Sequence, residues 1–178
     1  MEIREKGMGD AAAYFAALAA RCADLEPAFE AFGAYIVKTT DDGFRNEREA
    51  DGTVFAPLAV ATIDARIAKV GGFKRTRKGS FTKGALKKQA RLSAPGGIKI
   101  LTDTARARNS QHTVATPNSL TWSAVGYLGA HMAGTSRVPK RNPTPFVRVG
   151  NGWALNAKAQ DKVTVDIRHY VQTGEVRA

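Results

Sequence analysis

Hydrophobic and polar positions in the first third of the chain repeat with a helical period. Leu18, Cys22, Leu25, Phe29, Phe32 and Ile36 recur at steps of four, three, four, three and four, which draws one apolar stripe. Pro27 interrupts it. With Asp24 as N-cap, Pro27 falls in the first turn of a second helix, where its missing N–H matters least. The spacing therefore predicts a short helix over about 10–22 and a longer one over about 25–46. Both turn the stripe to the core, with Cys22 as a small buried apolar residue.

Asp51-Gly52 marks a tight turn, after which Phe55 and Leu58 supply a hydrophobic anchor and Thr62 to Val70 a short helix. Ile98-Lys99-Ile100-Leu101 fits a short strand or a helical turn. The runs His112 to Thr116 and Ser119 to Val125 flank Pro117-Asn118. In the second, Leu120, Trp122 and Ala124 alternate with Thr121 and Ser123, the pattern of a hairpin. Tyr127 to Ala133 predicts a short helix ending at Gly134, Pro139 to Pro145 a loop, and Phe146 to Val149 a strand. Ala159, Val163, Ile167 and Tyr170 share one side of a final helix over about 156–172. The implied fold is α+β, a single domain over 1–178 with N-terminal helices and a C-terminal helix packed on a small antiparallel β-sheet.

With 43% hydrophobic and 24% charged residues the chain has an ordinary globular balance. Its length lets it bury roughly 70% of the surface its unfolded form exposes, without a covalent staple. The lone cysteine excludes an intramolecular disulfide and a thiolate-rich metal site. No apolar run approaches the ~18 residues of a membrane span. The opening Met-Glu-Ile-Arg-Glu-Lys lacks the apolar stretch of a secretory leader, so a protein made and used inside a cell is expected.

Charge changes the picture more. The net charge is +11, and the segment Lys69 to Arg108 holds twelve Lys/Arg against one acid, Asp103, which accounts for all of it. The same segment contains Gly71, Gly72, Gly79, Gly84, Gly96 and Gly97 and few large apolar residues. A long, flexible basic loop over about 69–97 is the expectation. Its cations Lys74, Arg75, Arg77, Lys78, Lys83, Lys87, Lys88 and Arg91 suit either phosphate neutralisation or docking on an acidic protein surface. With only Phe73 and Phe81 interleaved for base stacking, docking or lining a channel is the favoured use.

Catalytic motifs are incomplete. His112, His131 and His169 are too scattered for a local metal motif. Gly79 to Gly84 has P-loop glycine spacing, but Ala85 and Leu86 stand where Lys and Ser/Thr are required. Ser80-Phe81-Thr82-Lys83 matches a bare Ser-x-x-Lys without its companion motifs. The acids Asp41, Asp42, Glu47, Glu49 and Asp51 flank a helix end and a turn and read as a solvated face. No catalytic residue, metal or cofactor is assigned, and the chain is read as a non-enzyme.

The order of four short motifs then suggests a family. Asp51-Gly52-Thr53-Val54-Phe55-Ala56-Pro57-Leu58 comes first, with Thr62 and Arg66, followed by Ile100-Leu101-Thr102-Asp103-Thr104 with Arg106, Asn109 and Ser110. Tyr127, His131 and Gly134 come next, then Pro145-Phe146. The series resembles the phage virion morphogenesis family, the tail-completion proteins of Mu-like and related tailed phages. The family's usual wording is close to D-G-x-x-W-x-P-L, I-L-x-D-T-G-x-L-x-x-S, Y-A-x-x-H-x-x-G and P-A-R-P-F. Phe55 replaces the usual Trp, Ala105 the Gly and Thr144 the Arg, with Arg141 nearby.

The resemblance implies a structural part of the virion neck or head-proximal tail end, assembled in the host cytoplasm. Such a part completes the tail, as a tail terminator does, and helps join it to the head. Asp51, Gly52, Phe55, Pro57, Leu58, Leu101, Asp103, Tyr127, His131, Pro145 and Phe146 would be fold anchors. The implied partners are the chain itself in a hexameric ring, the tail tube protein and head-side connector proteins. Non-specific contact with packaged DNA is a further option, and no membrane is involved. The alternative, from charge alone, is a non-specific nucleic-acid-binding module acting through residues 69–108.

Overall fold

A computed structural model describes residues 8–70, 76–78, 80, 82–93, 97–101 and 104–177. Helix α1 (Met8–Ala23) and the long α2 (Glu26–Asn46) meet at Asp24-Leu25. Leu25, not Asp24, is the N-cap of α2, with Pro27 in the first turn. Asp24 turns the chain instead, its Oδ1 accepting from the Glu26 N–H at 3.1 Å. Of the expected stripe, Phe32 and Ile36 are buried on α2 beside Ala28 and Phe29 is half-buried, whereas Cys22 on α1 is exposed. The four-three spacing continues across the junction, but the junction breaks the helix axis, so the face defined on α2 does not extend to α1.

Helix α3 (Val60–Val70) follows the Phe55 anchor. The basic segment, expected to be loop over 69–97, contains helix α4 (Lys83–Ser93). Its Lys, Ala, Leu, Gln and Arg residues are good helix formers despite their charge. Thr82 caps it, Oγ1 accepting from the Ala85 N–H at 3.3 Å, and buried Ala85 lies on the side toward α3, whose Ile67 is also buried. A short turn of helix, α5 (Arg106–Asn109), precedes the hairpin of β1 (His112–Thr116) and β2 (Ser119–Ser123). Helix α6 (Tyr127–Ala133) leads to a second hairpin of β3 (Phe146–Val149) and β4 (Gly152–Leu155), and α7 (Ala157–Thr173) closes the chain.

The architecture is α+β, with its antiparallel structure divided between two two-stranded sheets. β1 pairs with β2 in the register Thr113↔Trp122 and Ala115↔Leu120, which turns these four side chains inward. α2 rests on this hairpin because Gly33 has no side chain; a Cβ there would lie 2.9 Å from Thr113 Oγ1 and 3.3 Å from Leu120 Cδ1. Sequence pattern does not anticipate β4, whose Gly-Trp-Ala-Leu lacks the β-branched residues that mark β3. Asn156 caps α7 by accepting from the Ala159 N–H at 2.9 Å, and Gly174 ends it in the left-handed region at φ 80°.

Two core clusters share a wall. One joins Phe44, Ala107, Leu128 and Met132, the other Phe32, Ile36 and Ala159. Trp122 and Phe146 touch both and pack ring to ring at 5.1 Å. Phe44, 0% exposed, contributes about 1.5–3 kcal/mol by burial.

Candidate functional site

The segments that carry the family resemblance lie far apart in sequence and close on one another in the fold. Arg141 is the fastening between them. It is 5% exposed; Nε donates to the Ala56 carbonyl at 2.8 Å and Nη2 to the Pro57 carbonyl at 2.7 Å. Its backbone N–H donates to the His131 carbonyl at 2.8 Å. One residue thus ties the Asp51–Leu58 segment to α6. The strap from Arg141 to Pro145 is loop, as expected, but all five residues are buried. Within it Asn142 Oδ1 accepts from the Thr144 N–H at 3.0 Å and from Thr144 Oγ1 at 2.6 Å, and Asn142 Nδ2 donates to the Phe146 carbonyl. Thr144, standing where the family has Arg, is 1% exposed and fills this network.

Each anchor among the described residues can be placed. Asp51 Oδ1 accepts from the Thr53 N–H at 2.8 Å and shapes the turn with Gly52; that bond holds its carboxyl below the ordinary carboxylate range. Phe55, in the place of Trp, is 3% exposed. Pro57 and Leu58 line a cleft of about 530 Å³ with Arg66 of α3, Leu101, Tyr127 and His131. Pro145 is fully buried, and Phe146 bridges the clusters. Asp103 lies outside the described residues, as do Lys74 and Arg75 of the basic segment. Lys83, Lys87 and Arg91 are exposed on α4 and Lys88 is half-buried there; Arg77 and Lys78 are exposed before it. None of these described residues of the basic segment lines the cleft.

The acids expected to form a solvated face are structural instead. Asp41 is clasped by Arg108 and by Arg45, the latter at 2.6 Å, and the hydrogen bond from Arg108 is the main cause that lowers its pKa. Glu47 accepts from the Ile100 N–H at 2.6 Å, and Glu49 from the Asn142 N–H at 3.3 Å and Lys140 Nζ at 3.1 Å. Apart from Asp41–Arg45, one helical turn apart, these contacts span long stretches of sequence, which is why a local reading does not find them.

Ala105 occupies the left-handed region at φ 53°, where the family pattern has glycine. That conformation costs an L-residue about 1–2 kcal/mol. Glycine would remove the strain and return about 0.5–1 kcal/mol through the freer unfolded chain. Ala105→Gly should therefore stabilise the protein by about 0.5–1 kcal/mol. A higher urea midpoint at unchanged slope would register it.

His131 packs edge-on to Tyr127 at 6.3 Å, and its Nδ1 is buried without a hydrogen-bond partner among the described residues. Burial, then the Arg141 charge, lowers its pKa from the ordinary 6.5. Below pH 6.5 the unfolded imidazole takes a proton that the folded one resists, so this group's stabilising contribution is full above 6.5 and falls on the acid side. The loss from Asp41 begins only below 3.8 and occupies a separate window. Denaturation at pH values on either side of 6.5 should show a slope that His131→Gln flattens.

Among the described residues, no three His, Cys, Asp or Glu side chains gather as a metal site. Ser80 Oγ lies 3.4 Å from the Thr76 hydroxyl. A larger cleft of about 730 Å³, walled by Phe32, Trp122, Leu128 and Phe146, carries no titratable side chain among its lining residues. No described helix is long and apolar enough to cross a membrane. Comparison with models of known families, with curated proteins and with solved structures finds no match.

Proposed function

We propose that the chain is a structural protein of a tailed phage that completes the tail and helps join it to the head, acting at the virion neck as a ring of its own copies. The observation that carries this reading is the convergence of motif segments on one fastening. Residues picked out by their order in the sequence act together through Arg141, the Asp51 turn and buried Phe55. Their use is to hold a shape, which suits an assembly part.

Surface features support partners. Tyr14 and Phe15 on α1 are 53% and 63% exposed, and Gly9 to Ala16 are all exposed in an alanine-rich helix. An apolar helix face of this kind calls for a covering surface. A heterologous contact between copies closes into a ring, a hexamer in this proposal, when its rotation permits. The test is complementation: purified protein added to a lysate of the phage with its gene interrupted should restore plaque-forming particles. Failure by folded protein that also fails when supplied during infection would refute the role.

A nucleic-acid reading draws on α4, whose four basic residues, Lys83, Lys87, Lys88 and Arg91, have no acid beside them within the helix. The assembly role predicts duplex DNA binding no tighter than the non-specific range of ~10⁻⁴–10⁻⁶ M at physiological salt. Replacing Lys83, Lys87 and Arg91 with Gln should reduce the logarithmic salt slope by about 0.9 for each phosphate that is no longer neutralised. Fluorescence anisotropy at several salt concentrations measures both. Nanomolar binding at physiological salt would favour the nucleic-acid module.

A further inference from the structure

We infer that the cleft between α3, α6 and the Arg137–Arg141 segment is a binding site for a polypeptide carboxylate, the C-terminal end of a partner chain. The site goes beyond the assembly role, because it could take such a chain end whatever particle the protein belongs to.

Three arginines are concentrated in its lining. Arg66, Arg137 and Arg141 border about 530 Å³, within the ~300–1,000 Å³ usual for ligand clefts, and no carboxylate is among the described lining residues. Arg141 is 5% exposed and forms no ion pair among the described residues; the partners of its guanidinium are the Ala56 and Pro57 carbonyls. Arg66 gives Nη1 to the Lys99 carbonyl at 2.7 Å, and the Arg137 guanidinium makes no hydrogen bond among the described residues. Arg66 and Arg141 lie near enough to repel each other, which adds to the burial that lowers the Arg141 pKa. An entering anion relieves that repulsion and gains planar donors suited to a carboxylate.

The other walls choose among anions. Leu58, Leu101, Val138 and Pro139 give an apolar surface beside the charges, and Tyr127 adds a ring that is 46% exposed. A terminal carboxylate with an apolar last side chain uses both surfaces, whereas inorganic phosphate uses the charges alone. A concave cleft of this size admits a chain end but not the breadth of a nucleic-acid duplex.

Titrating the whole protein with three probes, followed by NMR of its arginine Nε–H groups, tests the assignment. The probes are N-acetyl-Ala-Leu with a free carboxylate, the same peptide as its C-terminal amide, and inorganic phosphate. The free acid should bind saturably in about the millimolar range and move the Arg66 and Arg137 signals, with the amide and phosphate each at least about tenfold weaker. Arg137→Gln, at an exposed position where the fold is retained, should weaken the acid by about tenfold, a loss equivalent to one good charge-assisted contact. Equal binding of acid and amide, or no binding, would overturn the site. Phosphate binding as tight as the acid would overturn the carboxylate assignment and leave a general oxyanion cleft. None of these results bears on complementation by the protein, so failure here is separable from failure of the assembly role.

Discussion

Arg141→Met is expected to lower folding stability by about 3 kcal/mol, a large part of the 5–15 kcal/mol typical of a domain. The substitution removes the donors that the Ala56 and Pro57 carbonyls use at 2.8 and 2.7 Å. Losing a charge-assisted bond to the carbonyl of half-buried Ala56 or exposed Pro57 costs about 1.5–3 kcal/mol, less where water replaces the donor. An opposing gain comes from removing a buried charge with no ion-pair partner among the described residues. The absent hydrogen bonds outweigh it because the guanidinium is already solvated by carbonyls, so relief from burial is partial. Arg141→Lys should recover less than half of the loss, since one ammonium on a flexible stem does not reproduce the planar fork. Urea unfolding of the three proteins measures the series, and a methionine variant within about 0.5 kcal/mol of the parent would show that the fastening is dispensable.

Gly43→Ala should cost a similar amount for a different reason. A Cβ at this α2 position would sit 2.7 Å from the Pro143 carbonyl oxygen and 2.9 Å from its Cα. The atoms it meets first belong to backbone, and Pro143 is fully buried in the strap. Neither side can swing away, so α2 and the strap must separate, at a cost toward the upper end of the ~1–3 kcal/mol range for overpacking. Gly129→Ala provides the control: nothing lies within 4 Å of its added Cβ, and the helix interior should gain about 0.5–1 kcal/mol. Thermal unfolding of the pair should move in opposite directions.

Both substitutions act on the buried strap, and the strap marks the reach of local sequence pattern. Pro139 to Pro145 is legible as loop because proline restricts backbone geometry locally. Its burial follows from contacts with Glu49, Ala56 and Pro57, residues more than eighty positions away, and from the space left by Gly43. Periodicity has no access to such contacts. Arg141 illustrates the gap: the sequence marks it as a neighbour of a motif, whereas the fold makes it the tie between motifs. The regular elements are more legible. α2, α6, α7 and the β1–β2 hairpin follow from spacing, Pro27, Gly134 and the Pro117-Asn118 turn. α4 escapes a reading that ranks charge and glycine above helix propensity and the Thr82 cap. The acids escape as fasteners because Asp41 and Glu47 find their partners across dozens of residues.

The same separation holds for the candidate site. Motif order singles out Phe55, His131 and Phe146; in the fold Phe55 is buried, His131 packs edge-on to Tyr127 and Phe146 packs against Trp122. The carboxylate cleft is not legible. Arg66 follows the first motif and Arg137 belongs to none, and it is the fold that brings both to one cleft with Arg141.

Electron microscopy of a lysate from the phage with this gene interrupted tests the proposed role most directly. Filled heads beside separate tails, some irregular in length, are the result expected of a protein that completes the tail. Intact particles with normal necks would contradict that role and leave the basic helix α4, as a nucleic-acid-binding element, the feature still to be explained.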